Sequence, residues 1–127
     1  MGKQVLYTTK VAKPIRPFSQ ATRAGNLVFV AGTVAINEHG ELMGKDDIKA
    51  QTRQVLENIK AVIEAAGGTM RDVVRTIVFL TDFANYAGMN EVYKTYFPAE
   101  PPTRSTVRVG LVNADYLIEI EATAVLD

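Results

Sequence analysis

The run Leu27-Val28-Phe29-Val30-Ala31-Gly32-Thr33-Val34-Ala35-Ile36 constrains the fold of this chain more than any other segment. Its β-branched and aromatic residues predict a strand, and the strand is apolar on both faces. Val28, Val30, Val34 and Ile36 oppose Leu27, Phe29 and Ala31. Such a strand needs cover on both sides. The rest of the chain offers two helical segments, which cover one face of a sheet of about four to six strands but not both. Leaving four large apolar side chains in water forfeits about 6–12 kcal/mol, at roughly 1.5–3 each. That rivals the net stability of a domain, about 5–15 kcal/mol. The expectation is a homo-oligomer whose subunits cover each other's bare sheet face. Gly32, in the middle of the run, predicts a bulge or the close approach of another group.

The remaining segments read as β-β-α-β-α-β-β in one domain over residues 1–127. Val5-Leu6-Tyr7 is a short strand candidate, and Pro14 and Pro17 keep Val11 to Gln20 extended. Asp46-Asp47 caps a helix from Ile48 to about Ala66, ended by Gly67-Gly68. Val73 to Leu80 is a second strand with two apolar faces, interrupted by Arg75 and Thr76. A second helix starts at Asp82 or Asn85, carries Tyr86, Met89, Tyr93, Tyr96 and Phe97 on one face, and stops at Pro98. Two further strands follow, one through Arg104 and one through Glu119, with a possible extra hairpin strand near Leu42.

Composition narrows the chemistry. There is no cysteine, which removes thiolate nucleophiles, disulfides and zinc-thiolate sites. The single histidine, His39, lies in the turn-like segment Asn37-Glu38-His39-Gly40-Glu41, so a histidine-built metal site, a Ser-His triad and a two-histidine nuclease all lack support. Charge is balanced at 14 basic and 14 acidic residues, which argues against a nucleic-acid partner. No apolar run reaches membrane length and Met1-Gly2-Lys3-Gln4-Val5 lacks a signal-peptide core, so no membrane partner is expected and a cytoplasmic location is the simplest expectation. No cofactor signature appears. Gly67-Gly68 follows a helix, whereas a phosphate loop precedes one.

The candidate site is a pair of charged strands. Alternation puts Arg104, Thr106 and Arg108 on one face, and Glu119, Glu121 and Thr123 on one face of the last strand. On the expectation that these strands are neighbours, Arg104 offers a planar fork for a carboxylate ligand. It reads equally well as a cross-strand salt-bridge partner of Glu119 or Glu121. A carboxylate in a confined interface can orient and deprotonate a water, with the arginine keeping it ionised. Asn90 interrupts an apolar helix face, and Phe18 follows Pro17 in position to wall a pocket. A hydrogen bond to loop backbone is the plainer reading of Asn90, and core packing the plainer reading of Phe18.

Taken together, the segments resemble the RidA (YjgF/YER057c/UK114) family over essentially the whole chain. The resemblance rests on Pro17-Phe18-Ser19-Gln20, Leu27 to Thr33, Gln51 to Ile59, Glu64 to Gly68, Val78 to Asp82, Asn90 to Tyr93, Pro102 to Ser105 and Ile118 to Ala122. Ala50 to Glu57, Ala65 to Met70, Asn85-Tyr86-Ala87, Tyr96-Phe97-Pro98 and Gly110-Leu111-Val112 resemble the RutC branch, which is associated with 3-aminoacrylate removal.

The resemblance implies an α+β chorismate-mutase-like fold, a mixed sheet with two helices on one face, and a homotrimer around a central β-barrel with clefts between subunits. It implies cofactor-independent hydrolysis of small enamino or imino acids, of the 2- or 3-aminoacrylate type, to a carbonyl acid and ammonia. In that picture Arg104 binds the substrate carboxylate and Glu119 positions water. Gly32 and the peptides around Thr106 line the pocket, Asn90 and Phe18 complete its wall, and Glu121 is structural. Many family members carry tyrosine, serine and cysteine where this chain has Phe18, Ala31 and Thr106. The lost hydroxyls leave the substrate preference open. They also keep alive the alternative of a non-catalytic, carboxylate-binding or chaperone-like trimer. A ribonuclease or translation-inhibitor role ranks below both.

Overall fold

The computed structural model describes residues 2–127; Met1 lies outside the described residues. Six strands form one sheet: β1 (Lys3–Leu6), β2 (Ala21–Ala24), β3 (Leu27–Thr33), β4 (Val73–Leu80), β5 (Thr103–Arg108) and β6 (Ile118–Val125), in the order β1-β2-β3-β6-β4-β5. β5 runs parallel to β4, and every other pairing is antiparallel. The two helices are α1 (Ile48–Ala65) and α2 (Tyr86–Tyr96). The fold is therefore mixed α+β, as expected.

One face of the sheet makes the core. Val28, Val30, Thr76, Val78, Leu80, Ile118, Ile120, Ala122 and Ala124 point from β3, β4 and β6 into it. They meet Val55, Leu56, Ile59, Val62 and Ile63 of α1, whose spacing of three and four residues gives one apolar stripe. The opposite face carries Val5, Leu27, Phe29 and Val107, all among the exposed large apolar residues, beside the partly exposed Ile77 and Phe79. The face count thus meets a sheet that is bare on one side.

The ends of the elements follow local chemistry. Asp47 caps α1 by accepting from the Ala50 amide at 3.1 Å, and Gly67, at φ +93°, turns the chain out of it. Three buried polar groups on α1 were hidden in the apolar periodicity. Gln51 donates to the Gly44 and Asp115 carbonyls and accepts from the Leu117 amide. Asn58 donates to the Ile36 carbonyl at 2.8 Å. The Thr52 hydroxyl donates to the Ile48 carbonyl within the helix. Gln51 and Asn58 fix the loops that lead into β6 and out of β3.

Two expectations need correction. The first strand run does not reach Ile36. It ends at Thr33, after a register shift between Val30 and Thr33 that matches the bulge expected at Gly32, and Ile36 returns only as an isolated bridge to Leu42. β2 was not anticipated. Ala21-Thr22-Arg23-Ala24 has little intrinsic strand preference and forms because it pairs with β1 on one side and β3 on the other.

Candidate functional site

Arg104 lies on the edge strand β5, opposite Thr76 of β4. That register turns its side chain toward α2. Tyr86, Met89, Asn90 and Tyr93 recur on α2 at helical spacing and present one face to it. Arg104 Nη1 donates to Asn90 Oδ1 at 2.7 Å, and Nη2 donates to Tyr86 Oη at 3.1 Å. Its Cζ lies 4.9 Å from the centre of the Tyr93 ring and 5.6 Å from that of Tyr86, within cation–π range. Behind it, Tyr93 Oη and Thr76 Oγ1 share a buried hydrogen bond of 2.7 Å. Burial pushes the Tyr93 hydroxyl's pKa up, an effect the Thr76 hydrogen bond and the Arg104 charge partly offset.

The guanidinium is thus fixed by neutral groups. Among the described residues the ion pairs are His39–Glu38 and Lys49–Glu91, and neither involves Arg104. An open cleft of about 470 Å³, lined by Phe83, Tyr86, Arg104 and Thr106, lies in front of it. An arginine positioned this way, with an uncompensated charge and an open approach, suits a carboxylate ligand.

Glu119 is elsewhere. β4 separates β5 from β6, so the two charged strands are not neighbours. Glu119 pairs with Phe79, whereas Arg104 pairs with Thr76, and those β4 residues face opposite sides of the sheet. The expected Arg104–Glu119 juxtaposition does not occur within one chain, nor does the cross-strand salt bridge that was the equal alternative for Arg104. Alternation within each strand was readable; the strand order that relates one strand's faces to another's was not.

On the bare face Glu119 is half-buried with no cation beside it. Burial, and secondarily the charge of Glu121, push its carboxyl above the usual carboxylate range. The expectation that an arginine keeps it ionised is therefore corrected for the single chain. Gly32 makes room for it: a Cβ there would overlap the Glu119 carboxylate. The Gln20 carbonyl accepts from the Ala31 amide at 3.0 Å, which ties the end of the Phe18 loop to the strand just before Gly32. Phe18 itself is 56% exposed and does not line the Arg104 cleft.

The expected site residues therefore fall into two groups. Arg104, Asn90 and Thr106 belong to the cleft beside α2, and Glu119 and Gly32, with the Phe18 loop tied in near them, to the bare face. Asn90 holds Arg104, where a loop backbone or a ligand was foreseen. Tyr86 and Tyr93 were legible only as members of an apolar helix face, and Phe83 carried no signal, because their roles depend on what β5 brings under α2.

A family model described as Endoribonuclease L-PSP matches residues 8–126. A RutC family protein of Pyrococcus abyssi is 50% identical over 125 residues, covering 98% of each chain. A protein of the conserved Rid family from Yersinia pestis has a TM-score of 0.93 at 38% identity, covering 98% of this chain and 100% of its own. The crystal structure of TdcF from E. coli with bound serine has a TM-score of 0.91 at 37% identity, covering 98% of this chain and 99% of its own.

Proposed function

The chain belongs to the Endoribonuclease L-PSP family of RidA and RutC-like proteins, and on that footing we propose that it is a cofactor-independent deaminase of small enamino and imino acids, working at clefts between the subunits of a homotrimer. The observation that carries the reading is the Arg104 guanidinium, held by Asn90 and Tyr86 without a carboxylate partner and open to the cleft. The bound serine of the TdcF relative is a small carboxylate of the size such a fork accepts.

Arg104 takes the substrate carboxylate in a bidentate grip and so fixes the imine carbon. Glu119 comes from the bare face of a neighbouring subunit. In the single chain burial, and then the charge of Glu121, hold its carboxyl above its ordinary pKa, and in the assembled site it is the group that carries the proton. For an enamine, that proton goes to the carbon β to nitrogen and gives an iminium. The carboxylate so formed then accepts a proton from water as the water oxygen bonds to the iminium carbon. The carbon–nitrogen π pair moves to nitrogen. The resulting amino alcohol collapses, the hydroxyl proton leaves, and the carbon–nitrogen bond breaks with protonation of nitrogen. Imine plus water gives carbonyl acid plus ammonia, with no change of oxidation state and no metal. The apolar bare face, with Phe29 at 44% and Val5 at 57% exposure, supports the association the mechanism needs.

A binding-only trimer is the second reading, favoured by the absence of hydroxyls at Phe18 and Ala31. It predicts carboxylate binding without turnover. The ribonuclease reading is weakened by His39, which is exposed in its turn and, among the described residues, has Glu38 at 3.8 Å as its one ion-pair partner. The test is ammonia release from freshly generated aminoacrylate. Wild-type protein releases it faster than solvent does, and Arg104→Ala, assembled as wild type by light scattering, does not. Unchanged release by that variant refutes the role of Arg104.

A further inference from the structure

We infer that Arg108 holds a second anionic group, so that the cleft selects dicarboxylic over monocarboxylic acids. The inference rests on the deaminase reading for the identity of the substrate, but not for the binding site itself. Alternation puts Arg104, Thr106 and Arg108 on one face of β5, with about 13 Å between the first and last Cα atoms. Arg108 pairs with the buried Leu80, in step with Arg104 and Thr76, so both arginines rise from the α2 side of the sheet.

A second groove of about 780 Å³ opens at Arg108, lined also by Thr81, Phe83, Gly110 and Asn113. It shares Phe83 with the Arg104 cleft, so the two open beside each other along the strand. No acidic side chain lines either one. Among the described residues Arg108 takes part in no ion pair, and no hydrogen bond from its side chain is formed. The walls are anchored: the Val109 amide donates to the Leu80 carbonyl at 2.9 Å, and the Thr81 amide to the Leu117 carbonyl at 3.2 Å. Phe83, 52% exposed, lines both grooves and presents an aromatic surface to each. A carbon chain with a carboxylate at each end matches this set of two cations and a shared apolar wall. A solvated edge arginine is the plain alternative, and it predicts no selectivity.

The test is calorimetric titration of the full-length protein with 2-oxoglutarate and with 2-oxopentanoate, which share a carbon skeleton and differ in the terminal carboxylate. Wild type is expected to bind 2-oxoglutarate about tenfold more tightly. Arg108→Gln abolishes the preference and leaves 2-oxopentanoate binding unchanged; Arg108→Lys, which keeps the charge without the fork, retains part of it. Equal affinities in wild type, a preference that survives Arg108→Gln, or no binding of 2-oxoglutarate overturns the inference. Ammonia release from the two corresponding imines separates this site from the proposed reaction. Turnover of neither imine nor of aminoacrylate, with the Arg108-dependent preference intact, refutes the deaminase and upholds the subsite.

Discussion

Replacing Asn90 with alanine removes the shortest contact of the Arg104 guanidinium and leaves the rest of its setting in place. The 2.7 Å bond from Nη1 is lost, while the 3.1 Å bond to Tyr86 Oη and the Tyr93 ring at 4.9 Å remain. A hydrogen bond to a charged group contributes about 1.5–3 kcal/mol. Asn90 and Arg104 are both half-buried beside an open cleft, so water replaces part of that loss and the lower end applies. The freed guanidinium must then be ordered by the ligand, which costs affinity. About 1.5 kcal/mol corresponds to a roughly tenfold weaker carboxylate. The assay is titration with a small 2-oxo acid, read beside ammonia release at subsaturating substrate, and both should fall by that factor. Arg104→Ala should remove carboxylate binding altogether. The reasoning is refuted if Asn90→Ala binds as wild type does, or if it fails as completely as Arg104→Ala. The first outcome would mean that Asn90 does not hold the fork, and the second that it is itself the main ligand group.

Further tests address the support of the cleft and the acid. Thr76→Val leaves the buried Tyr93 hydroxyl without a partner and should lower stability by about 1–3 kcal/mol in urea denaturation. Adding Tyr93→Phe should recover most of that loss, because no polar group then stays unsatisfied. Glu119 titrates above its ordinary range because of burial and then Glu121, so the folded chain holds its proton more tightly than the unfolded chain. Its contribution to stability is fully present below the ordinary carboxylate pKa and is lost as pH rises through the folded value. Glu119→Gln removes that loss. The variant should match or exceed wild type in urea midpoint at neutral pH, with the gap closing in acid, while ammonia release is lost. A lower midpoint at neutral pH would show that Arg104 of the neighbouring subunit keeps Glu119 ionised in the assembly, and would overturn its role as the proton carrier.

Much of the architecture was legible because it is local. Asp47 and Gly67 bound α1, Gly32 marks a bulge, and the two-faced run of β3 announces an uncovered sheet face. β2 was not legible, since Ala21 to Ala24 is held by its neighbours rather than by its own preferences. The site was legible in its members but not in its arrangement. The alternation that placed Arg104 and Glu119 on definite faces of their own strands says nothing about the strand lying between them. Once β4 does, the arginine turns to α2 and the glutamate to the bare face. The polar pins Gln51 and Asn58 were masked for a related reason, since their partners are loop carbonyls distant in sequence.

The central claim is that Arg104 of one subunit and Glu119 of another make one site. Mixing Arg104→Ala and Glu119→Gln proteins, each inactive alone, and reassembling them tests it directly. Random exchange in a cyclic assembly should restore about a quarter of wild-type ammonia release, because that share of interfaces joins an intact Arg104 to an intact Glu119. Mixed assemblies that form, as judged by mass, but release no ammonia would contradict the account.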